Sequence, residues 1–506
     1  MYHVKKVRWG FFLMSLLTLA ALVIGSFWES ANRKTCLGLP VEATLRHDGA
    51  IAKQDLDCGE LFLFNGERAA VDTQSRTIYI SQYIGSSTTA GNLAGKLELT
   101  VPEWELYFLE DSGFQDLKQA VATGHPFSVV VDQGDANHVY QVVFTTLPLL
   151  RLDGSTPGDS ESLYGTLCLW NDGEELPSVS NVEFHRRGSS AKDHPKPSWK
   201  LSLKDGNWKK TNLSLLGLGS DNDWILNGMV FDDTKLREKF LTDLWNQIAD
   251  GTDWNYPMAS CEYVEVVYNG SYNGLYLLQR RVDKKYLHLS NDDILLKGYS
   301  VWEADRVQEA YAIKNASLPD EDVYLLLEDY FVSPETGIVQ LADGSIGDLY
   351  NFADVNILIQ FGSLIDNVGY KNMYYLLKRE DGGFRLHWIP WDTDLGMGIT
   401  YTTGFEYNYD MSMDSQYQRA EYNTMKAAYP ELEDCLRSRW KQLRSNELSE
   451  RNIQTLLEEN YDQIIASGAW DRTNHTHGLE YAGLDTYAGL LRFTQERLET
   501  LDNYYS

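Results

Sequence analysis

No C-x-x-C pair occurs among the five cysteines of this 506-residue chain, which removes zinc knuckles and dithiol redox sites from consideration. The cysteines are Cys36, Cys58, Cys168, Cys261 and Cys435. An odd number gives no complete disulfide framework. Cys36 and Cys58 stand close enough in sequence to pair if the chain is exported; reduced, buried thiols are the alternative. Basic residues are scarce, with 44 Lys and Arg against 73 Asp and Glu and a net charge of -29. Phosphate-backbone binding needs basic patches, so nucleic acid is excluded as an expected partner. An acidic exterior keeps a chain solvated and favours basic partners if it favours any. Internal repeats and low-complexity tracts are also missing. A hydrophobic content of 43% and a charged content of 23% read as globular, and 14 Trp with 31 Tyr suit a large mixed fold or a surface-exposed protein.

One long apolar run is present. Lys5, Lys6 and Arg8 precede Gly10–Trp28, where only Ser15, Thr18 and Ser26 bring polar side chains. Roughly 18 such residues are near the minimum for crossing a bilayer. The basic flank would keep the N-terminus in the cytoplasm and send the rest across. No clean Ala-x-Ala site follows, so residues 1–28 are expected to form an uncleaved signal anchor. The expected location is a single-pass membrane protein with its main domain outside the cytoplasm, or a secreted one if the segment is cleaved.

Residues 29–145 read as a β-rich module. RTIYIS (Arg76–Ser81) and GKLELTV (Gly95–Val101) alternate polar and apolar positions, and FSVVVD and VYQVVF continue the style. Short strands between turns suggest a small sandwich-like unit without a catalytic constellation. The Gly-, Pro-, Ser- and Asp-rich Leu147–Ser162 marks a composition break, and a second unit is assigned to 146–506. It opens with strands in Ser180–Ser190 and Pro197–Asp205. Leu236, Phe240, Leu241, Leu244, Trp245 and Ile248 predict a helix from Thr234 to Ala249. Cys261–Val282 predicts a hairpin about Asn269-Gly270. Leu349–Ile365 has the apolar density of a buried helix. A second hairpin turns at Asp381-Gly382-Gly383, and helices return near Leu448–Ile465 and Tyr487–Asn503. His475 and His477 lack an acidic or Cys partner at ligand spacing and read as loop residues; His185 and His387 read as structural.

The order of elements around the second hairpin carries the chemistry. A buried helix ends at Ile365, and Asp366 follows in the loop DNVGYKN. A strand starts after Asn372, turns and returns as FRLHWIPW, and WDTDLGMG then brings Asp392 and Asp394. Helix, Asp loop, Asn, hairpin, Asp is the order found in protein kinases. There one Asp orients the acceptor hydroxyl, and an Asn and a second Asp hold Mg²⁺ on the ATP phosphates. Phosphoryl transfer spreads negative charge over oxygens, so positioning and cation clamping dominate, and magnesium prefers hard oxygen donors. Taken singly the signals are weaker. Asp366 could be a helix-terminal turn residue. Asp392 and Asp394 could form a solvated acidic turn or a calcium site, although calcium wants more oxygen ligands than this loop shows. Ser189 and Ser190 after Gly188 could cradle phosphate through backbone N–H groups or form a plain turn. The aromatic loop Tyr401–Gln418 could be a substrate platform or packing.

These residues resemble the CotH kinase family, named for a bacterial spore-coat protein. The match is to PWDTD (Pro390–Asp394), the loop from Asp366 to Lys371-Asn372, and the hairpin between them. Upstream, RRGSS (Arg186–Ser190), HPKPSWKLSL, Trp224–Phe240 and Val266–Leu278 are similar to further family blocks, in the family's order over roughly residues 145 to 400. The resemblance implies an α+β, two-lobed atypical protein-kinase-like domain that binds ATP and Mg²⁺, here preceded by a transmembrane segment and a small β-sandwich-like module. It implies Asp366 as the catalytic Asp, Asp392 as a metal ligand with Asn372 as its companion, and Asp394 as a supporting or second-metal group. It also implies Lys196 or Lys200 at the phosphates, and Arg237 either on a phosphate or bracing the site. Where the family often has a Glu near the end of the middle hairpin, this chain has Arg280, so Glu265 or Asp283 would have to replace it. The expected activity is transfer of the ATP γ-phosphate to Ser or Thr of surface or coat proteins, basic ones being favoured by charge. A non-catalytic adhesion protein that keeps the fold and a calcium-stabilised structural protein are the competing readings.

Overall fold

The computed structural model describes residues 58–81, 96–109, 126–134, 136–155, 161–171, 174, 176–188, 194–299, 307–328, 347–367, 371–400, 404–405, 422–423, 425–477 and 486–506. The expected anchor, Cys36, Ser189, Ser190 and almost all of the aromatic loop lie outside these residues. Among the described residues no helix is long and apolar enough to cross a membrane.

The first strands form two sheets. β1 (Phe62–Phe64), β2 (Glu67–Arg68) and β5 (Leu97–Leu99) make one of three strands, with β1 central. β3 (Ala70–Asp72), β4 (Thr77–Ser81), β6 (Glu105–Leu109), β7 (Phe127–Asp132) and β8 (Asn137–Thr145) make one of five, in the order β3-β4-β8-β7-β6. Their shared core includes Phe62, Ile78, Ile80, Val129, Val131, Tyr140 and Val142, and it also takes in Leu149, Cys168, Trp170, Val267 and Tyr272. The small sandwich-like module expected over 29–145 therefore shares its core with side chains of the unit that follows. Small sheets bury too little apolar area alone, and here the outer wall of the next unit completes the burial.

That next unit is a closed barrel. Its strands are β9 (Leu149–Ser155), β10 (Leu163–Trp170), β11 (Ser178–Arg187) and β12 (Ser198–Lys204). A short ribbon of β13 (Leu213–Ser214) and β14 (Ser220–Asp221) precedes β15 (Asp223–Asn227), β16 (Cys261–Tyr268) and β17 (Ser271–Gln279). The order is β10-β11-β12-β15-β17-β16-β9, closed by a parallel pairing of β16 with β9. The period of two sends Val182, Phe184, Trp199, Leu201 and Leu203 inward, and leaves Lys200, Ser202 and Lys204 on the outer face. Gly154 and Gly165 face each other across β9 and β10; a Cβ on Gly165 would lie 1.8 Å from the Asp153 carbonyl.

The remainder is a four-stranded sheet under helices. β18 (Ile294–Gly298), β19 (Tyr311–Asn315), β20 (Met373–Glu380) and β21 (Gly383–Pro390) run in the order β19-β18-β20-β21. Its helices, leaving aside the nine-residue Asp320–Glu328 and the one-turn Val307–Ala310, include α1 (Arg237–Ala249), α2 (Leu349–Gly362), α3 (Leu432–Arg444), α4 (Glu450–Ala466), α5 (Ala469–His477) and α6 (Tyr487–Tyr505). α2 is capped by Asp348, whose carboxylate accepts the Asn351 amide at 2.9 Å, and is buried over nearly its whole circumference by β21, α1, α3 and α6. Ile225 on the barrel's outer side and Val282, just after β17, pack with Leu295, Tyr374, Leu376, Ile389 and Trp391, joining barrel and sheet. Two expectations shift. α1 starts three residues late, because Asp232 accepts the Thr234 amide and hydroxyl and Lys235 takes a left-handed φ of 63°. His475 and His477 lie in α5 rather than a loop: the helix docks on β17, where the Thr473 hydroxyl accepts the Leu275 amide at 2.8 Å.

Candidate functional site

The site is built at the base of the β20–β21 hairpin. Asp366 follows the left-handed Ser363 that ends α2, and is 8% exposed. The Asn372 side-chain amide donates to Asp366 Oδ2 at 2.9 Å, and the Lys371 ammonium pairs with Oδ1. The Asn372 carbonyl accepts from the Trp391 amide at 3.0 Å and from Asn367 Nδ2 at 2.9 Å. Asn367 Nδ2 also donates to the Trp391 carbonyl at 2.8 Å. These bonds tie both ends of the hairpin to the Asp366 loop. Asn372 and Asp392 both have positive φ, 53° and 59°, a conformation short polar side chains tolerate.

The segment after Asp392 is anchored by α1. The Thr393 amide and hydroxyl donate to Glu238 Oε2 at 2.7 and 3.1 Å, and Gln279 Nε2 donates to Oε1 at 3.0 Å. Arg237, fully buried, donates from Nε to the Gly396 carbonyl at 3.0 Å and pairs with Asp232 at 2.5 Å. Of the two roles expected for Arg237, the structure gives it bracing. The Met397 amide donates to the Gly362 carbonyl at 2.6 Å, closing the loop against the end of α2.

Negative charge converges here. Burial, and then Asp392, pushes Glu238 up to about 7. Burial pushes Asp394 well above the carboxylate range, with Asp392, Glu238, Asp232 and Asp366 adding to the effect, although part of its surface is accessible. Burial also raises Asp366, against the pull of Lys371. Such a set of hard oxygen donors fits a divalent cation. Among the described residues no three His, Cys, Asp or Glu side chains form a metal cage by themselves.

Cations gather beside it. The Lys297 ammonium lies 5.2 Å from the Trp391 ring centroid and 5.7 Å from that of Tyr374, and the Arg187 guanidinium lies 5.7 Å from the Trp391 ring. Burial, with repulsion from Arg187, lowers Lys297 to about 8 while Asp392 opposes the shift. Lys200, half-buried on the barrel's outer face, is lowered by burial and by Arg281, which also acts on Lys297. Lys196 does not join them. The residue is 2% exposed, and its ammonium donates to the Gly228 carbonyl at 2.9 Å and to the Leu275 carbonyl and sits 4.6 Å from the Tyr276 ring centroid. Gly188 follows β11 with a φ of 103°.

The replacement of an acid by Arg280 leaves no gap. Arg280 pairs with Asp221 at 3.1 Å and donates to the Leu218 carbonyl. Glu265 is held by Arg472, and Asp283 caps the Tyr286 amide, so neither substitutes. The buried acid beside the loop is Glu238, which the helical periodicity hides because its neighbours make it look like a solvent-facing position. Lys297 carried no motif and was equally invisible.

Comparison with known proteins gives one family match. A model described as CotH kinase protein matches residues 184–501. A search of curated proteins finds no match.

Proposed function

Because the chain belongs to the CotH kinase family, we propose that it transfers the γ-phosphate of ATP to Ser or Thr hydroxyls of a protein partner. The observation that carries this reading is the bonding of Asp366 to Asn372 at the same hairpin base that presents Asp392 and Asp394. Asp366 is the group to orient the acceptor hydroxyl and take its proton. Asp392 and Asn372 would hold Mg²⁺, with Asp394 in support; bound there, the cation would supply neutralising charge for the phosphate oxygens. Lys371 puts a cation beside Asp366. Lys297 and Lys200, rather than the enclosed Lys196, are the lysines to meet the ATP phosphates. Glu238 and Arg237 act as positioning residues for the Asp392–Gly398 loop. The acceptor is proposed to be a surface or coat protein, met outside the cytoplasm by a domain anchored through Gly10–Trp28.

The test is phosphate transfer from labelled ATP with and without Mg²⁺, paired with calorimetry of ATP binding. Transfer that requires Mg²⁺ and disappears in Asp392→Ala supports the reading. A wild-type chain that binds no ATP with Mg²⁺ present sinks it.

A further inference from the structure

Trp391, the residue before Asp392, stands where the barrel meets the four-stranded sheet. On β18 the alternation that turns Ile294 and Leu296 into the helix-covered core turns Leu295 and Lys297 toward the barrel. On β11 it turns Val182 and Phe184 into the barrel, and His185 and Arg187 outward. The two cations reach one indole from the two sides of this junction. The Lys297 ammonium lies 5.2 Å and the Arg187 guanidinium 5.7 Å from the Trp391 ring centroid. Tyr374, the β20 residue paired with Lys297, packs edge-on to the same ring with centroids 5.9 Å apart. Trp391 is buried, while Lys297 and Arg187 are half-buried.

A lysine and an arginine can lie on an indole merely to cover it. The neighbouring cations argue otherwise. Arg280 pairs with Asp221 at 3.1 Å, and Arg281 and Lys210 pair with Asp223 at 3.1 and 3.0 Å. Among the described residues, no carboxylate stands within ion-pair distance of Lys297 or Arg187, and neither side chain has a hydrogen-bond acceptor. The chain has 73 Asp and Glu against 44 Lys and Arg, so acids to pair with are plentiful. Two half-buried cations left unpaired on one ring therefore mark a place for an anion from outside. Their repulsion is felt at Lys297, which burial and then Arg187 lower to about 8. The indole face attracts both cations without neutralising either, so it fixes their position and leaves their charge for a ligand.

We propose that Trp391 is a positioning residue: its ring holds Arg187 of the barrel and Lys297 of the sheet together, and the pair binds the triphosphate oxygens of ATP next to Asp392. The proposal deepens the phosphotransfer reading and rests on it for naming ATP. A guanidinium offers a planar fork to phosphate oxygens and an ammonium a point charge, so the two together fit a run of phosphates better than a single carboxylate. Because one cation comes from each unit, the bound phosphates also bridge barrel and sheet.

The experiment is calorimetry of the full chain with inorganic triphosphate and with ATP, both with Mg²⁺, beside transfer from labelled ATP. Arg187→Gln and Lys297→Gln are each expected to weaken triphosphate binding roughly tenfold or more. Arg186→Gln, the same change on the exposed neighbouring residue, should leave it unchanged. Trp391→Phe keeps a ring face and should stay within about threefold of the wild type, whereas Trp391→Leu should lose about tenfold. In the Trp391→Leu background, Arg187→Gln should cost little more, because the guanidinium has already lost its place; a purely structural tryptophan gives additive losses. Additive losses, or equal binding by Arg187→Gln and Arg186→Gln, overturn the proposal, and the second comparison decides it if Trp391→Leu does not fold. Transfer by the wild type with equal binding by all variants leaves the phosphotransfer reading standing without this seat. Triphosphate binding that falls in Arg187→Gln, with no transfer by the wild type, keeps the seat and removes the reading instead.

Discussion

Asp366, Asp392 and Glu238 are three carboxyl groups close enough to act on one another's charge, and their surroundings give them different work. Asp366 is held by Asn372 and Lys371, Asp392 is half-buried, and Glu238 is buried against Thr393 and Gln279. Asp366→Asn should keep the fold, with a melting temperature near that of the wild type, yet lower phosphate transfer by roughly 10²–10⁴-fold. Glu238→Ala leaves the buried Thr393 and Gln279 donors without their acceptor. It should cost about 1–3 kcal/mol in urea unfolding, and transfer should fall as the Asp392 loop loosens. His387 offers a test independent of the site. It is 4% exposed, packs edge-on to Tyr256 with ring centroids 4.9 Å apart, and burial lowers it to about 4. The unfolded chain binds that proton more readily than the native one. His387 therefore contributes stability above about pH 6.5 that is lost as pH falls through about 4, by at most about 3 kcal/mol. Urea unfolding of wild type and His387→Phe across that window should show a shallower fall for the variant.

At the scale of elements, the hairpins were legible because their signals are local. Asn269-Gly270 and Asp381-Gly382 set the turns, and the strands fall at Cys261–Tyr268 with Ser271–Gln279 and at Met373–Glu380 with Gly383–Pro390. The start of α1 was not legible, since Asp232 and Lys235 form a turn whose hydrogen bonds no periodicity reports. The Asp392–Gly398 loop is likewise set by its neighbours. A Cβ on Gly396 would lie 2.5 Å from Leu364 Cδ2 and 2.8 Å from the Gly362 carbonyl. Gly396→Ala should push the loop off the end of α2, cost about 1–3 kcal/mol, and lower transfer more than it lowers ATP affinity. A melting curve and a kcat-against-KM comparison check this.

At the scale of the molecule, the composition break near residue 145 is not a break in the core. Leu149, Cys168, Trp170, Val267 and Tyr272 belong to the same cluster as Phe62 and Tyr140. Asp72 also accepts the Tyr272 amide at 2.9 Å. A chain beginning at residue 146 should therefore expose an apolar face, bind the dye ANS and melt at lower temperature than the full chain. Equal melting and no dye binding would show that the barrel stands alone.

By itself, the sequence determined the family, the two hairpins, the buried helix α2 and the order of Asp366, Asn372 and Asp392 along the chain. Those rest on alternation, turn dipeptides and the order of short motifs, all of which are properties of neighbours along the chain. Tertiary structure alone decided that Lys196 is enclosed by carbonyls while Lys297 faces Asp392, that Glu238 is the buried acid, and that Arg237 braces a loop. Each of these depends on which distant groups share a low-dielectric space, and burial and charge act through that space rather than along the chain.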